Sequence, residues 1–134
     1  MPGFPVSGGG YQIGDGNTAE VYMGVQSAPA TAAGSATLTT LQINGGLIVA
    51  NPSTTAATYV TPTGAQLDTA LPNAKNDSAF ETTIINIGTG SGDITLSAGT
   101  GVSIVGATVI NDGTSAQLLW RRTADNTWVV YRKA

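Results

Sequence analysis

The sequence predicts an all-β sandwich with one short helix and an extended amino-terminal arm. Three observations carry that expectation. From residue 78 onward, turn clusters fall at Gly88–Gly92, Ala98–Gly101, Asn111–Thr114 and Asp125–Asn126, a spacing of about ten residues that belongs to sandwiches and barrels. Between the clusters apolar residues alternate, placing Ile94 with Leu96, Val102 with Ile104, Leu118 with Trp120 and Trp128 with Val130 on one face. The opposite faces are partly apolar too, through Ile85, Ile87, Val105, Ile110, Leu119, Val129 and Tyr131. An outer face of that kind meets neighbours.

The elements follow in chain order. Residues 1–25 are dense in Gly and Pro, interleaved with Phe4, Tyr11, Ile13, Tyr22 and Met23. So few apolar anchors cannot offset the cost of ordering the glycines, so the segment suits an extended arm that binds a partner. Residues 26–37, "QSAPATAAGSAT", have the composition of a flexible connector. The expected division is therefore an arm and connector over 1–37 and a β domain over 38–134.

Leu38–Ile43 and Leu47–Ala50 are expected as strands joined by a hairpin turn at Asn44-Gly45-Gly46. Another strand is expected near Ala57–Thr61. In "TPTGAQLDTALP", Thr63 and Gln66 have the spacing of a capping box, Leu67 and Leu71 share a helical face, and Pro72 stops the helix. Ser78–Ile87 is a long strand, and the alternating segments described above complete the domain.

Composition narrows the chemistry. The chain has 134 residues, of which only 10% are charged, with a net charge of −3, against about 25% charged in an ordinary domain. It has no Cys and no His, which removes thiolate nucleophiles, Cys-ligated zinc and the commonest general base together. No Ser-x-x-Lys or Gly-x-Ser-x-Gly motif occurs, and no motif selects a pair among the acids for general acid–base work. These absences point away from an enzyme. No cofactor or metal is expected; "DGNTAE" offers oxygens at Asp15, Asn17 and Glu20 but not the spacing of a calcium loop. The longest apolar run, Leu47–Ala50, is too short to cross a bilayer, so no membrane is expected.

Two further motifs have a functional and a structural reading. "GTGSGDITLSAGTGVSIVG" resembles a nucleotide loop in its glycines, but a strand follows where a helix would have to present its amino end to phosphates. Its glycines are expected to serve tight turns. "WRRTADNTWVVYR" interleaves aromatic and basic residues, as nucleic-acid or sugar sites do. The structural reading, a closing hairpin whose tryptophans fill the core, is preferred. With an acidic total and no second basic cluster, nucleic acid is not an expected partner.

Charge distribution is the sharpest signal. No Asp, Glu, Lys or Arg occurs between Glu20 and Asp68, whereas Arg121, Arg122, Arg132 and Lys133 crowd the last strands. A neutral stretch containing Leu38, Leu41, Ile43, Leu47 and Ile48 is expected to be buried against another copy of the chain.

The passages "GGLIVANP", "AATYVTPTGAQLDTALPNAKNDSAFETTIIN", "DITLSAGTGVSIVGATVI" and "TWVVYR" resemble the small capsid-decorating, or cement, proteins of tailed bacteriophages. The resemblance spans about Leu38 to Arg132; its most specific parts are "ATYVTPTGAQL" and the "GDITLSAGTGVSIVG" hairpin, the latter also found in phage fibre proteins. It implies a jelly-roll-like protomer, a homotrimer on the outer capsid surface of the virion, and the major capsid protein as partner. It also implies that an amino-terminal segment lies along the capsid, a role open to Phe4, Tyr11, Ile13, Tyr22 and Met23. The alternative is a receptor-binding fibre tip that holds glycans on Trp120, Trp128 and Tyr131.

Overall fold

Two sheets share one apolar core in the computed structural model, which describes residues 24–134. In chain order the elements are β1 (Ala30–Ala32), β2 (Ala36–Thr37), α1 (Thr40–Asn44), β3 (Leu47–Ala50), β4 (Ala57–Val60), α2 (Gly64–Ala70), β5 (Ala79–Asn86), β6 (Ile94–Ser97), β7 (Val102–Val105), β8 (Val109–Ile110), β9 (Ser115–Ala124) and β10 (Thr127–Arg132). The larger sheet has the order β1-β3-β5-β9-β10-β7, and the smaller β2-β4-β6-β8. The fold is mostly β, as the alternation and turn spacing predict.

From β1 to β8 the chain changes sheet at every step. Through β6 the chain re-enters each sheet in the direction in which it left, so β1, β3 and β5 pair in parallel, as do β2, β4 and β6. β7 also pairs in parallel with β10. Only β9, with its neighbours β5 and β10, and the β6–β8 pair are antiparallel. This winding departs from the jelly-roll-like pattern expected, whose strands pair antiparallel. Turn spacing reveals how many strands there are, not which sheet each one enters.

Three local expectations are corrected. Leu38–Ile43 is not a strand: Thr39 caps α1, its Oγ1 accepting from Gln42 N at 3.1 Å while Gln42 Oε1 accepts from Thr39 N at 2.9 Å. Gly45 is the C-cap of that helix, and Gly46 follows at φ +82°, so Asn44-Gly45-Gly46 ends a helix rather than turning a hairpin. Second, the stretch expected as a flexible connector contributes an edge strand to each sheet, β1 and β2. Gln42 Nε2 donates to Thr31 O at 2.9 Å, and the Tyr59 hydroxyl donates to Ala33 O, so both flanks hold this stretch in place. Third, β6 and β7 do not pair, and "GDITLSAGTGVSIVG" is an arch from one sheet to the other, not a hairpin.

α2 forms as expected. Thr63 Oγ1 accepts from Gln66 N at 3.1 Å, and Gln66 Oε1 accepts from Thr63 N at 3.0 Å. Leu67 is fully buried beneath it.

Register aligns the buried side chains across the sheets. Ile48 lies opposite Ile84, Ile84 opposite Ala116, Phe80 opposite Trp120 and Trp120 opposite Val130. In the smaller sheet Tyr59 lies opposite Leu96, and Ile94 opposite Ile110. Ile110 is therefore core, not outer face as its position in the alternation implied. Each large side chain sealed this way contributes roughly 1.5–3 kcal/mol. One polar side chain joins the sheets: buried Asn86 donates from Nδ2 to Gly92 O at 2.9 Å and Ile110 O at 3.0 Å, and its Oδ1 accepts from Gly88 N at 2.8 Å. All its near polar capacity is used, as burial demands.

Candidate functional site

The densest polar chemistry ties α2 to the β9–β10 turn. Asp68 lies one residue beyond buried Leu67, so helical geometry turns it toward that hairpin. Its Oδ1 accepts from Arg122 Nε at 3.0 Å and Trp128 Nε1 at 2.8 Å. Its Oδ2 accepts from Arg122 Nη2 at 3.1 Å and Asn126 N at 2.7 Å. The Arg122 hydrogen bond is the main reason its carboxyl is lowered from 3.8 to about 2. Partial burial opposes the shift, while the Asn126 amide, the Trp128 indole and the charge of Arg122 reinforce it. A carboxylate with four donors and so low a pKa cannot act as an acid or base near neutrality. It is a fastener.

Close backbone approach completes the joint. A Cβ on Gly64 would lie 1.9 Å from Asn126 O, and one on Gly101, at φ +78°, 2.4 Å from the same atom. Gly64 N donates to Thr100 O at 2.8 Å, and Gly99 N to Thr61 Oγ1 at 2.8 Å. The glycines of the arch are thus architecture, as expected.

The other basic side chains of the last strands are engaged as well. Arg121 pairs with Asp77 at 2.7 Å and donates to the Tyr131 hydroxyl at 3.0 Å. Arg122 also reaches Asp125 at 2.8 Å, Lys133 pairs with Glu81 at 3.1 Å, and Arg132 donates to the carbonyls of Val109, Ala107 and Ala134. Trp120 and Trp128 are both sealed, at 0% and 1% exposure. They fill the core, as the preferred reading of this stretch holds, and offer no flat face to a sugar ring.

Two concave surfaces flank α2. The first, about 480 Å³, is floored by Phe80 and Trp128 and walled by Leu71, Pro72 and Ala74, with Asn44 at its rim. Phe80 stacks on Trp120 with 3° between planes and meets Trp128 edge-on, both at 5.9 Å between centroids. The second, an open groove of about 660 Å³, is lined by Thr37, Thr39, Thr40, Ala65, Gln66 and Thr69. It carries no charged side chain.

That groove belongs to a wider neutral region. Residues 24–67 contain no charged side chain, and they build β1, β2, α1, β3 and β4. β1 and β2 are the edges of their sheets at that end. Val25 and Leu41 project into solvent there, Leu41 at 84% exposure.

The expected interface residues separate accordingly. Leu38, Ile43 and Ile48 are buried in the protomer's own core and cannot meet a neighbour, which corrects the expectation for those three. Leu41 is exposed and Leu47 half-buried. The Leu-x-x-Leu-x-Ile spacing does not separate the two groups on a strand reading; the Thr39–Gln42 capping box, which turns Leu41 outward on a helix, does. Phe4, Tyr11, Ile13, Tyr22 and Met23, together with Asp15, Asn17 and Glu20, lie outside the described residues. Among the described residues no group of three or more His, Cys, Asp or Glu could hold a metal ion, and no helix is long and apolar enough to cross a membrane. No protein-family model matches the chain, and neither a curated protein nor a solved structure matches it.

Proposed function

We propose that this chain is a structural virion protein, a phage capsid decoration or cement protein that binds the outer surface of the major capsid shell as a homotrimer. The observation that carries the reading is the neutral end: the edge strands β1 and β2 of the described sheets, exposed Val25 and Leu41, and no charge across residues 24–67. A surface without charge sets no like charges against each other when copies meet around an axis, and no ion has to be stripped of water. The sequence resemblance supplies the partner. The protomer is the two-sheet fold described above, and the trimer rather than the jelly roll is what the reading keeps.

Its action is mechanical. Each protomer adds weak contacts across a joint between capsomers, and linking three copies converts later contacts into intramolecular ones that sum into tight binding. The shell then resists internal pressure. The reading includes no catalysis, cofactor, nucleic acid or membrane. The fibre-tip alternative loses its aromatic platform, since Trp120 and Trp128 are sealed.

Light scattering of the purified protein tests the assembly, with a mass near three chains expected and a monomer at micromolar concentration counting against it. Titration onto purified empty shells of the phage that encodes it tests the partner. Saturation at a copy number set by shell symmetry supports the reading. Binding to host cells but not to shells overturns it.

A further inference from the structure

The larger sheet has a notch in it. β5 runs from Ala79 to Asn86, yet β3 pairs only with Thr83–Asn86. The shortfall begins at α1. Gly46 closes the turn after that helix by giving its N–H to Ile43 O at 3.1 Å, and so does not extend the parallel ladder to Glu81 O. The ladder on the other side of β5 fixes which way the uncovered backbone points. Arg122 N donates to Ser78 O at 3.0 Å and Asn86 N to Thr114 O at 2.9 Å, so the even-numbered residues of β5 turn their N–H and C=O to β9. The odd-numbered ones turn away from it, as Thr83 does when its N–H meets Gly46 O at 3.0 Å. Ala79 and Glu81 therefore hold their N–H and C=O groups toward the gap, and no hydrogen bond among the described residues takes them up.

That gap is the aromatic cleft beside α2, whose lining includes Asn44, Ala79, Phe80 and Glu81. A strand laid along it would set the residue opposite Phe80 on the inner face of the sheet, against Phe80, Trp128 and Leu71, and its neighbours outward. The cleft's 480 Å³ has room for a large side chain there. Glu81 is the one charged residue of the lining and is paired with Lys133, so the inward side chain has no partner for a charge. A compact small molecule would leave the row of backbone groups unmatched. An extended peptide matches it, as in strand addition to an open sheet edge.

We propose that the notch binds an extended segment of another protein by strand addition to Ala79 and Glu81, with one large uncharged side chain seated against Phe80 and Trp128. The site holds whether or not that partner is a shell protein, and it does not use the β1 and β2 edges.

Nuclear magnetic resonance of the full chain tests it, with acetyl-Thr-Thr-Leu-Thr-Thr-amide as the probe. In the free protein the Ala79 and Glu81 amides should exchange with deuterium at least roughly tenfold faster than the bonded amide of Thr83. Protection of both at all protein concentrations would mean that the chain itself fills the notch, and protection that grows with concentration that a second copy does; either overturns the proposal. The probe should shift both amides and slow their exchange. No shift at about 10 mM probe, well above a Kd of about 1 mM, also overturns it. The probe N-methylated at its three central residues should bind at least roughly tenfold more weakly, since it has lost the donors that meet the edge. Equal binding would show a side-chain pocket without strand addition and overturn the proposal. Ala79→Pro removes one donor from the notch and none from the β9 ladder, and should weaken the unmodified probe about fivefold. Should that variant fail to fold, the methylated probe decides alone.

Discussion

Replacing Asp68 with Asn removes one charge from the joint between α2 and the β9–β10 turn while keeping its shape. A lowering from 3.8 to about 2 corresponds to about 2–3 kcal/mol if taken at face value. The Asp68 side chain is 19% exposed, so solvent screening reduces the expected contribution to about 1–2 kcal/mol. The sign follows from the direction of the shift. Because the folded pKa lies below the unfolded one, the contribution is complete above about pH 4 and is lost as pH falls through about 2. Asp68→Asn should thus be about 1–2 kcal/mol less stable than the parent at pH 7, and the gap should close at pH 2. Asp68→Ala should cost more, about 2–4 kcal/mol, since the buried Trp128 indole N–H and the Asn126 amide then lose their acceptor. Urea titrations at fixed protomer concentration, run at both pH values, measure all three. Equal stability of parent and Asp68→Asn at pH 7, or a gap of the same size at pH 2, would refute the assignment of Asp68 as the fastener.

Gly64→Ala should destabilise by about 1–3 kcal/mol or displace the β9–β10 turn, because the added methyl meets Asn126 O at 1.9 Å; thermal melting against the parent checks it. Trp120→Phe should cost less than Trp128→Phe, by about 1–2 kcal/mol. Both indoles are buried, but the N–H of Trp120 has no partner among the described residues while that of Trp128 is bonded to Asp68; denaturation of the two variants gives the difference. Thr39→Ala and Thr63→Ala should each cost about 0.5–2 kcal/mol by breaking a capping box, and equal losses in melting would show that α1 is held as α2 is.

Much of the carboxy-terminal half was legible because its signals are local. The turn clusters and the alternating pairs from Ile94 to Val130 needed no knowledge of partners, and Thr63 with Gln66 marked α2 by spacing alone. The same spacing at Thr39 and Gln42 does not by itself mark α1, because Leu38, Leu41 and Ile43 around it look equally like a strand. β1 and β2 left no mark: Ala-Thr-Ala and Ala-Thr have no apolar signal, and they are strands only because β3 and β4 offer open edges. The parallel winding was invisible for a related reason, since a sheet change and a hairpin use the same turn residues. At the candidate surfaces, the neutral stretch was evident from composition. Which of its leucines and isoleucines face outward depended on α1 being a helix. Asp68 carried no sequence signal, because its partners lie more than fifty positions away.

The position of β9 has a consequence for how the protein comes off the ribosome. It lies between β5 and β10 in the larger sheet, so the middle of that sheet is supplied by residues translated well after β5. At about 5–20 residues per second, β5 waits roughly 2–8 s for β9 to be complete. Throughout that interval its bonding edge and Phe80 are uncovered, the condition under which nascent strands join other chains. The pairings that end the wait link distant segments, which slows the closing step further. High translation rates and crowded polysomes should therefore lower the folded yield more than a modest loss of native stability would, and a nascent chain arrested before Ser115 should be a substrate for chaperones.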